Sequence, residues 1–268
     1  MVIFSGAKIN LGLQILRKRS DGYHDLSTCF FPIKWSDVVE VLPSAGPTSL
    51  HGSGIIVPGL LAQNLVYKAW QLLSDLYKIP TVDIYCHKVV PMGAGLGGGS
   101  ADAVAVLKAC NELFGIGLDT EQLCALALWL GSDCPFFVEG QPTLAGGRGE
   151  VFEPINLDLS GYQLVVVHPG VSVSTAQAFS QVKPNAAVPD IAQIIRQPVG
   201  NWQSAGLRND FEASVFPQLP AVAALKQQLL DLGAVYAAMS GSGSAVYGLF
   251  DQPIDPCAHF DGLAWHQE

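Results

Sequence analysis

The sequence predicts an α+β fold of two domains, and three observations carry this prediction. The first residues alternate apolar and polar side chains as a half-buried strand does, whereas residues 100–114 and 120–130 have helical spacing. Strands and helices then follow one another without the strict alternation that a doubly wound parallel sheet requires. A stretch rich in Gly and Pro follows residue 139, so we place a single boundary after Glu153, with domains at residues 1–153 and 154–268.

The first third of the chain predicts antiparallel strands followed by one helix. Apolar residues at positions 9, 11, 13 and 15 alternate with other types, so Lys8 and Asn10 should share the opposite face of a half-buried strand. Asp21-Gly22 predicts a turn, after which residues 27–35 and 37–42 predict two separate strands. Residues 43–59 predict a loop, and residues 62–77 predict a helix.

The remainder predicts a strand that leads into a glycine-rich loop, and then several helices and strands. Residues 81–90 alternate as a strand. The next helix has one apolar stripe, with Ser100 as its N-cap and Gly115 as its stop. Residues 120–130 are apolar nearly all round, which predicts a buried helix that ends at Gly131. A buried strand at residues 162–168, a helix from Thr175, a helix near residues 221–232 and two strands around a second glycine loop complete the chain.

Composition excludes several classes of protein. The net charge of -9 argues against a nucleic-acid partner, and no run of about eighteen uncharged apolar residues predicts a membrane span. The amino terminus lacks the features of a secretory signal, so we expect a cytoplasmic protein, or a plastid stromal one if the host bears plastids. The six cysteines form no C-x-x-C pair, so neither a disulfide framework nor a zinc site is predicted.

The stretch PMGAGLGGGSADAVAVL, residues 91–107, carries five glycines in front of a helix. Gly93, Gly95 and Gly98 satisfy G-x-G-x-x-G, but a dinucleotide fold also needs a second strand and an acidic residue after the helix, and another helix follows instead. The Walker pattern lacks its lysine, and G-x-S-x-G is absent from the sequence. A plain turn stays possible, although five glycines cost backbone entropy. A phosphate cradle at a helix N-terminus is the interpretation we favour.

Lys8 and Asp133 form a candidate catalytic pair. Asp133 follows a predicted buried helix and precedes Pro135, where an unpaired carboxylate would be costly. A cation such as Lys8 would keep it ionised and able to accept a proton from an attacking hydroxyl. A purely structural ion pair explains the same residues equally well.

Taken together, the motifs AKINLGLQI, RSDGYHDL, PMGAGLGGGSADAVAVL, GSDCPFF, HPGVSVST and SGSGSAVYGLF resemble the GHMP kinase superfamily over nearly the whole chain. DGYH behind AKINL resembles the branch that phosphorylates a cytidine diphosphate derivative of methylerythritol in non-mevalonate isoprenoid synthesis. This resemblance implies an N-terminal lobe like ribosomal protein S5 domain 2 and a C-terminal α/β sandwich lobe with an antiparallel sheet. It also implies ATP and Mg²⁺ as cofactors, a small-molecule substrate, no nucleic-acid or membrane partner, and a monomer or homodimer.

The resemblance also assigns roles to residues that match the family motifs. Asp133 matches the catalytic base, and Lys8 matches the lysine beside it. The positions that match substrate contacts, including aromatics around the cytosine, are Asn10, Tyr23, His24, Phe30, Thr175 and Phe179. The positions that match ATP contacts are Asn64, Lys88, Pro91, Met92, Gly93, Gly95, Gly97, Gly98, Gly99 and Ser100. Gly241, Ser242 and Gly243, in the second glycine loop, match the third motif of the superfamily, which lies by the active site. The resemblance assigns no protein side chain to a metal.

The sequence departs from the family pattern at two places and leaves rival functions open. Asp25 replaces the usual Glu after GYH, which we interpret as a harmless change on the solvent side, and the chain after Phe250 is short. Rivals are a GHMP kinase that acts on a mevalonate phosphate, homoserine or a sugar, a nucleotide-binding module without catalysis, and an NAD-dependent oxidoreductase.

Overall fold

The computed structural model describes residues 1–260 and 264–267 and confirms the α+β class. The strands are β1 (Val2–Lys18), β2 (His24–Pro43), β3 (Ser49–Gly54), β4 (Val82–Lys88), β5 (Thr143–Gly146), β6 (Val151–Pro154), β7 (Gln163–Val167), β8 (Tyr236–Met239), β9 (Val246–Phe250) and β10 (Ala264–Gln267). The helices are α1 (Leu65–Tyr77), α2 (Gly98–Leu113), α3 (Thr120–Leu130), α4 (Phe136–Glu139), α5 (Thr175–Phe179), α6 (Ile191–Ile194), α7 (Glu212–Val215) and α8 (Pro220–Asp231).

The chain forms two compact units that interleave along the sequence. Unit 1 contains Met1–Lys8, Pro32–Pro91 and Gly97–Gly140, and unit 2 contains Ile9–Phe31, Met92–Leu96 and the described residues of Gln141–Glu268. The single boundary that we predict after Glu153 does not coincide with these units, because β1, β2 and the glycine loop each contribute residues to both. The division into sequence domains at residue 153 stays a prediction.

Unit 1 places helices against a small mixed sheet. Strand β4 pairs antiparallel with the second half of β2, from Val38 opposite His87 to Pro43 opposite Val82, and parallel with β3. Helix α2 packs against α1 and α3. The core between these elements is built from buried aliphatic residues such as Val41, Leu73 and Leu107.

Unit 2 contains the predicted antiparallel sheet of the C-terminal half. Its strand order is β10-β7-β9-β8, and each neighbouring pair is antiparallel. The first half of β2 pairs with β5, and β5 pairs with β6, also antiparallel. Helix α8 packs on β8 and β9. In place of the fuller final helix that the family pattern suggested, the short end of the chain supplies the edge strand β10.

Three strand predictions were wrong in detail. Residues 27–35 and 37–42 belong to one continuous strand, β2, which runs through Ser36 without a turn. Strand β3 lies inside the predicted loop at residues 43–59, and its sequence SLHGSG gives no apolar alternation because the strand is largely exposed. Strand β1 is also buried on both faces from Ala7 to Ile15, not half-buried as its alternation suggested.

The burial of the two central helices is the reverse of the prediction. Helix α2, predicted to have one apolar stripe, is buried nearly all round because its many Ala and Gly residues allow close packing. Helix α3 was predicted to be buried, but only its residues Leu123, Leu126 and Ala127 are buried, and Trp129 is 83% exposed. The predicted ends at Gly115 and Gly131 are confirmed, whereas the N-cap of α2 is Gly97 and Ser100 lies inside the first turn.

Among the helices of the described residues, none has the length and apolar character that crossing a membrane would require.

Candidate active site

The second half of the glycine loop (residues 93–100) begins helix α2 in unit 1. Gly97 has φ of 71°, and a Cβ there would lie 2.7 Å from Cζ of Phe137 and 3.3 Å from Cε of Lys8. Only glycine fits this position, because both the backbone conformation and the neighbouring side chains exclude a larger residue. The stem of Lys8 therefore lies beside the start of α2.

Lys8 and Asp133 meet in unit 1, as the sequence suggested. Nζ of Lys8 lies 3.6 Å from Oδ2 of Asp133, and the side chains are 4% and 41% exposed. Burial lowers the pKa of Lys8 from its ordinary value, while the negative charge of Asp133 acts in the opposite direction. The argument that a buried Asp133 needs a cation was therefore wrong: the lysine is the buried partner, and the carboxylate reaches solvent.

A second contact ties Asp133 to the start of α2. Asp133 lies in the turn between α3 and α4, directly before Cys134, which is fully buried. Burial raises the pKa of the Cys134 thiol to about 11, and the neighbouring Ser100 side chain, in the first turn of α2, acts in the opposite direction. The first-turn N–H groups of α2 have no intrahelical partner and point out of its N-terminus, where the helix dipole favours an anion. A cation, a carboxylate and an anion-binding helix end therefore converge in unit 1.

Lys88, matched to the ATP neighbours, lies in a buried ionic cluster of unit 1. Its side chain is 3% exposed, and Nζ donates to Asp37 and, at 2.7 Å, to Oδ2 of Asp102. Burial acts against the charge of Lys88, but Asp102 and Asp37 outweigh it and raise its pKa. Burial also raises the pKa of Asp102 to about 6, with Lys88 opposing this rise. Because the Lys88 ammonium is paired with two carboxylates, we now predict that only the backbone of Lys88 lies near the adenosine.

The first half of the glycine loop belongs to unit 2 and lies against the second glycine loop (residues 240–244). The Ser240 hydroxyl donates to the carbonyl of Gly95 at 2.9 Å, and Ala245 N–H donates to the carbonyl of Ala94 at 3.1 Å. A Cβ on Gly95 would lie 1.9 Å from the Ser240 carbonyl oxygen, and one on Gly241 would lie 3.0 Å from Gly95. The two loops therefore approach to backbone contact.

Asn10 is buried in unit 2 beside the second glycine loop. Its Nδ2 donates to the Thr28 hydroxyl at 2.9 Å, its N–H donates to the Ser240 hydroxyl at 3.2 Å, and its carbonyl accepts from Tyr247 at 2.8 Å. The Asn10 amide is thus fixed by surrounding hydrogen bonds, which is how a residue that orients a substrate is held.

The aromatic residues matched to the cytosine also cluster in unit 2. Phe179 stacks on His24 with ring centroids 4.9 Å apart, and Tyr23, 56% exposed, lies under the Arg148 guanidinium at 4.9 Å. Phe179 is thus stacked on His24 and not on Tyr23. Phe30 is 3% exposed and packs edge-on against Phe152.

The remaining predicted contacts occupy varied places. Asn64 is the N-cap of α1 and accepts from Val66 N–H at 2.9 Å, while Pro91 and Met92 are partly buried ahead of the glycine loop. The side chain of Thr175 lies outside the described part of the structure.

Asp25 is not the solvent-side residue that the sequence suggested. Its side chain is 14% exposed and pairs with Arg17 and Arg19, which lower its pKa through hydrogen bonds.

Sequence reasoning missed three residues around the glycine loop. Asp37 lies in no motif, and Asp102 lies within residues 91–107 without a role assigned to it there. Lys88, however, continues the buried side of β4 after Val82, Ile84 and Cys86, and that period predicts a buried cation that needs carboxylates. Ser240 opens the SGSGS loop and gave no separate signal.

In the described part of the chain, no group of three or more His, Cys, Asp or Glu side chains is placed to hold a metal ion.

Comparison with known proteins identifies the family. The family model described as "GHMP kinases N terminal domain" matches residues 64–141, and "GHMP kinases C terminal" matches residues 189–256. A 4-diphosphocytidyl-2-C-methyl-D-erythritol kinase of Bacteroides fragilis strain ATCC 25285 is 51% identical over 253 residues, which cover 93% of this chain and 92% of that protein. The protein of the same name from Cytophaga hutchinsonii is 45% identical, with 94% and 93% covered.

Solved structures agree with this assignment. A crystal structure of 4-(cytidine 5'-diphospho)-2C-methyl-D-erythritol kinase matches with a TM-score of 0.82 and 34% identity, over 99% of this chain and 98% of that one. A homoserine kinase from Cytophaga hutchinsonii shares the fold at a TM-score of 0.66 and 18% identity, with 92% and 86% covered. The predicted two-domain GHMP kinase fold is thereby confirmed. The chain belongs to the 4-diphosphocytidyl-2-C-methyl-D-erythritol kinase family of the GHMP kinases.

Proposed function

We propose that this protein transfers the γ-phosphoryl group of ATP to the 2-hydroxyl of 4-diphosphocytidyl-2-C-methyl-D-erythritol, which gives the 2-phosphate and ADP in non-mevalonate isoprenoid synthesis. The observation that carries this proposal is 51% identity to a kinase of that name over 93% of the chain. The convergence of Lys8, Asp133 and the start of α2 supports it independently of the name.

The mechanism that we propose is direct in-line transfer. Asp133 takes the proton of the 2-hydroxyl while the oxygen of that hydroxyl forms a bond to the γ-phosphorus. The bond between this phosphorus and the ADP oxygen breaks in the same step. The Lys8 ammonium and the first-turn N–H groups of α2 stabilise the negative charge of the transferring group. A tertiary alcohol is a crowded nucleophile, so the positioning of the reactants contributes more than the strength of the base.

Mg²⁺ fits this site as a cation that arrives with the nucleotide. In proteins, Mg²⁺ is usually held by one or two protein groups together with substrate phosphates, and seldom by protein ligands alone. The Ser100 hydroxyl, in the first turn of α2, is the group that would hold it, and the ion would neutralise charge on the β- and γ-phosphates. For the cytosine we propose the aromatic cluster of Tyr23, His24 and Phe179, where stacking on each ring supplies about 1–3 kcal/mol.

The test is ADP release with the cytidylyl substrate, compared with mevalonate phosphate, homoserine and a sugar as acceptors. We expect turnover with the cytidylyl substrate alone. We expect Asp133→Asn to lower kcat by a factor on the order of 10² or more with little change in either KM, because the amide cannot accept the proton. Asp231→Asn, on the exposed end of α8, is the matched control. Turnover of a base-free alcohol in place of the cytidylyl substrate would refute the substrate, and near-normal kcat in Asp133→Asn would remove that residue from the mechanism.

A further inference from the structure

Asp37 is a fully buried carboxylate that holds the backbone directly after strand β4. Its side chain is 0% exposed, and Oδ1 accepts from Val89 N–H at 2.6 Å and from Val90 N–H at 2.8 Å. Its other oxygen pairs with Nζ of Lys88, the last residue of the strand. One carboxylate thus fixes three consecutive residues that lead into the glycine loop.

The same cluster also contacts the far end of the loop, where α2 begins. A Cβ on Gly98 would lie 3.3 Å from Oδ2 of Asp37 and 3.3 Å from Nζ of Lys88. Lys88 reaches Asp102 in α2 at 2.7 Å, and the Ser5 hydroxyl donates to the other oxygen of Asp102 at 2.6 Å. The first turn of α2 is therefore packed against the group that holds residues 88–90.

A purely stabilising role explains this arrangement poorly. A buried ion pair adds little stability compared with apolar residues of similar size, because both charges lose their hydration. Here two carboxylates face one ammonium, so the cluster carries an excess negative charge if all three groups are ionised. What the charges provide in return is directional hydrogen bonding to backbone amides, which apolar side chains cannot give.

We infer that Asp37, through Lys88 and Asp102, is a positioning residue that sets the distance between the two ends of the ATP phosphate loop. It touches no substrate. It orients the amides of the first turn of α2 relative to the strand that precedes the loop. This inference rests on the proposed binding of ATP at that loop.

The test compares two isosteric amide substitutions in the cluster. In Asp37→Asn, the new NH₂ group must face either the two backbone N–H donors or the Lys88 ammonium, so one set of contacts is lost. In Asp102→Asn, the amide oxygen can still accept from Lys88 while the NH₂ group donates to the Ser5 hydroxyl, so the geometry is kept. Leu73→Ala, in the core of unit 1, controls for loss of stability without contact to the cluster.

We expect Asp37→Asn to raise the KM for ATP on the order of tenfold, with the acceptor KM unchanged. Asp102→Asn, which keeps the contacts of the cluster, should raise the KM for ATP much less than Asp37→Asn does, and Leu73→Ala should lower the melting temperature without changing either KM. If Asp37→Asn does not fold, Lys88→Arg keeps the charge but must displace Gly98, and we expect the same selective rise. A KM for ATP equal to that of the wild type in Asp37→Asn would overturn this inference, and so would that result in Lys88→Arg where Asp37→Asn does not fold. An equal rise of the KM in Leu73→Ala would also overturn it. In each case, activity of the wild-type enzyme would still uphold the proposed function. An inactive wild-type enzyme would overturn both.

Discussion

The two halves of the glycine loop are held by different kinds of interaction. Gly95, in unit 2, is held by neutral groups, namely the Ser240 hydroxyl and backbone contact with the second glycine loop. Gly97 and Gly98, in unit 1, lie against side chains, both apolar ones such as Phe137 and Val90 and the charged Asp37. The first half is therefore fixed mainly by backbone contact, whereas the second half is enclosed by side chains that include a buried ionic cluster.

Because of this difference, we expect the two halves of the loop to contribute differently to folding and to ATP binding. Backbone contact tolerates no added atom, so the first half should depend on glycine for folding. The charged surroundings of the second half respond to pH and to an approaching anion. Substitutions that distinguish stability from ATP binding should therefore have different outcomes in the two halves.

The largest effect that we expect is from Gly95→Ala. The residue has φ of 78°, and its Cβ would lie 1.9 Å from the Ser240 carbonyl oxygen, which is backbone and cannot move aside cheaply. We expect the free energy of unfolding to fall by about 3–5 kcal/mol, measured by chemical denaturation. Gly161→Ala, where an added Cβ meets nothing within 4 Å, is the control. Equal stability of the two variants would contradict the close backbone approach.

A smaller effect, and one that depends on pH, is expected from Asp102→Asn. The pKa of Asp102 is raised from 3.8 to about 6, so at a pH between these two values the carboxyl is more often protonated in the folded protein than in the unfolded chain. This carboxyl therefore costs stability at neutral pH and progressively less as the pH falls from about 6 towards 3.8. We expect the substitution to raise the free energy of unfolding by about 1–2 kcal/mol at pH 7–8, and less near pH 4. A pH-independent difference in denaturation midpoints would show that Asp102 does not titrate in this way.

The smallest effect on stability is expected from Gly99→Ala. Gly99 is exposed, and a Cβ there meets no atom within 4 Å, so the fold itself does not require glycine. We expect stability to be unchanged or higher by about 0.5 kcal/mol, because alanine favours the helix. The KM for ATP should rise on the order of tenfold, since a methyl group would separate the phosphate from the first-turn amides. An unchanged KM would show that the phosphates do not approach Gly99 closely.

Local patterns in the sequence predicted the elements better than their burial. Alternation in β4 and the glycine stops of α2 and α3 were confirmed because they depend on neighbouring residues alone. The burial of α2 and α3 was predicted in reverse, because burial depends on which helix face meets another element, and hydropathy does not report this. Strand β3 was missed because an exposed strand needs no apolar alternation.

The candidate site shows the same limit. The motifs identified Lys8, Asp133 and the glycine loop, which carry recognisable spacing. They did not reveal Asp37, Asp102 or Ser240, whose contacts join residues 14 to 230 positions apart in the sequence. The sequence also predicted a buried Asp133, whereas the packed structure shows that Lys8 is the enclosed partner of the pair.

The enclosed position of Lys8 has a consequence for mutagenesis. Removing the Asp133 carboxylate also removes the charge that opposes the lowering of the Lys8 pKa, so truncation to alanine would change two groups at once. An alanine scan would attribute the whole loss of activity to the missing base. Asp133→Asn removes the same negative charge, so it should also be made in the Lys8→Arg background, where the guanidinium stays charged without the carboxylate. The loss of activity from Asp133→Asn in that background then reports loss of the proton acceptor alone.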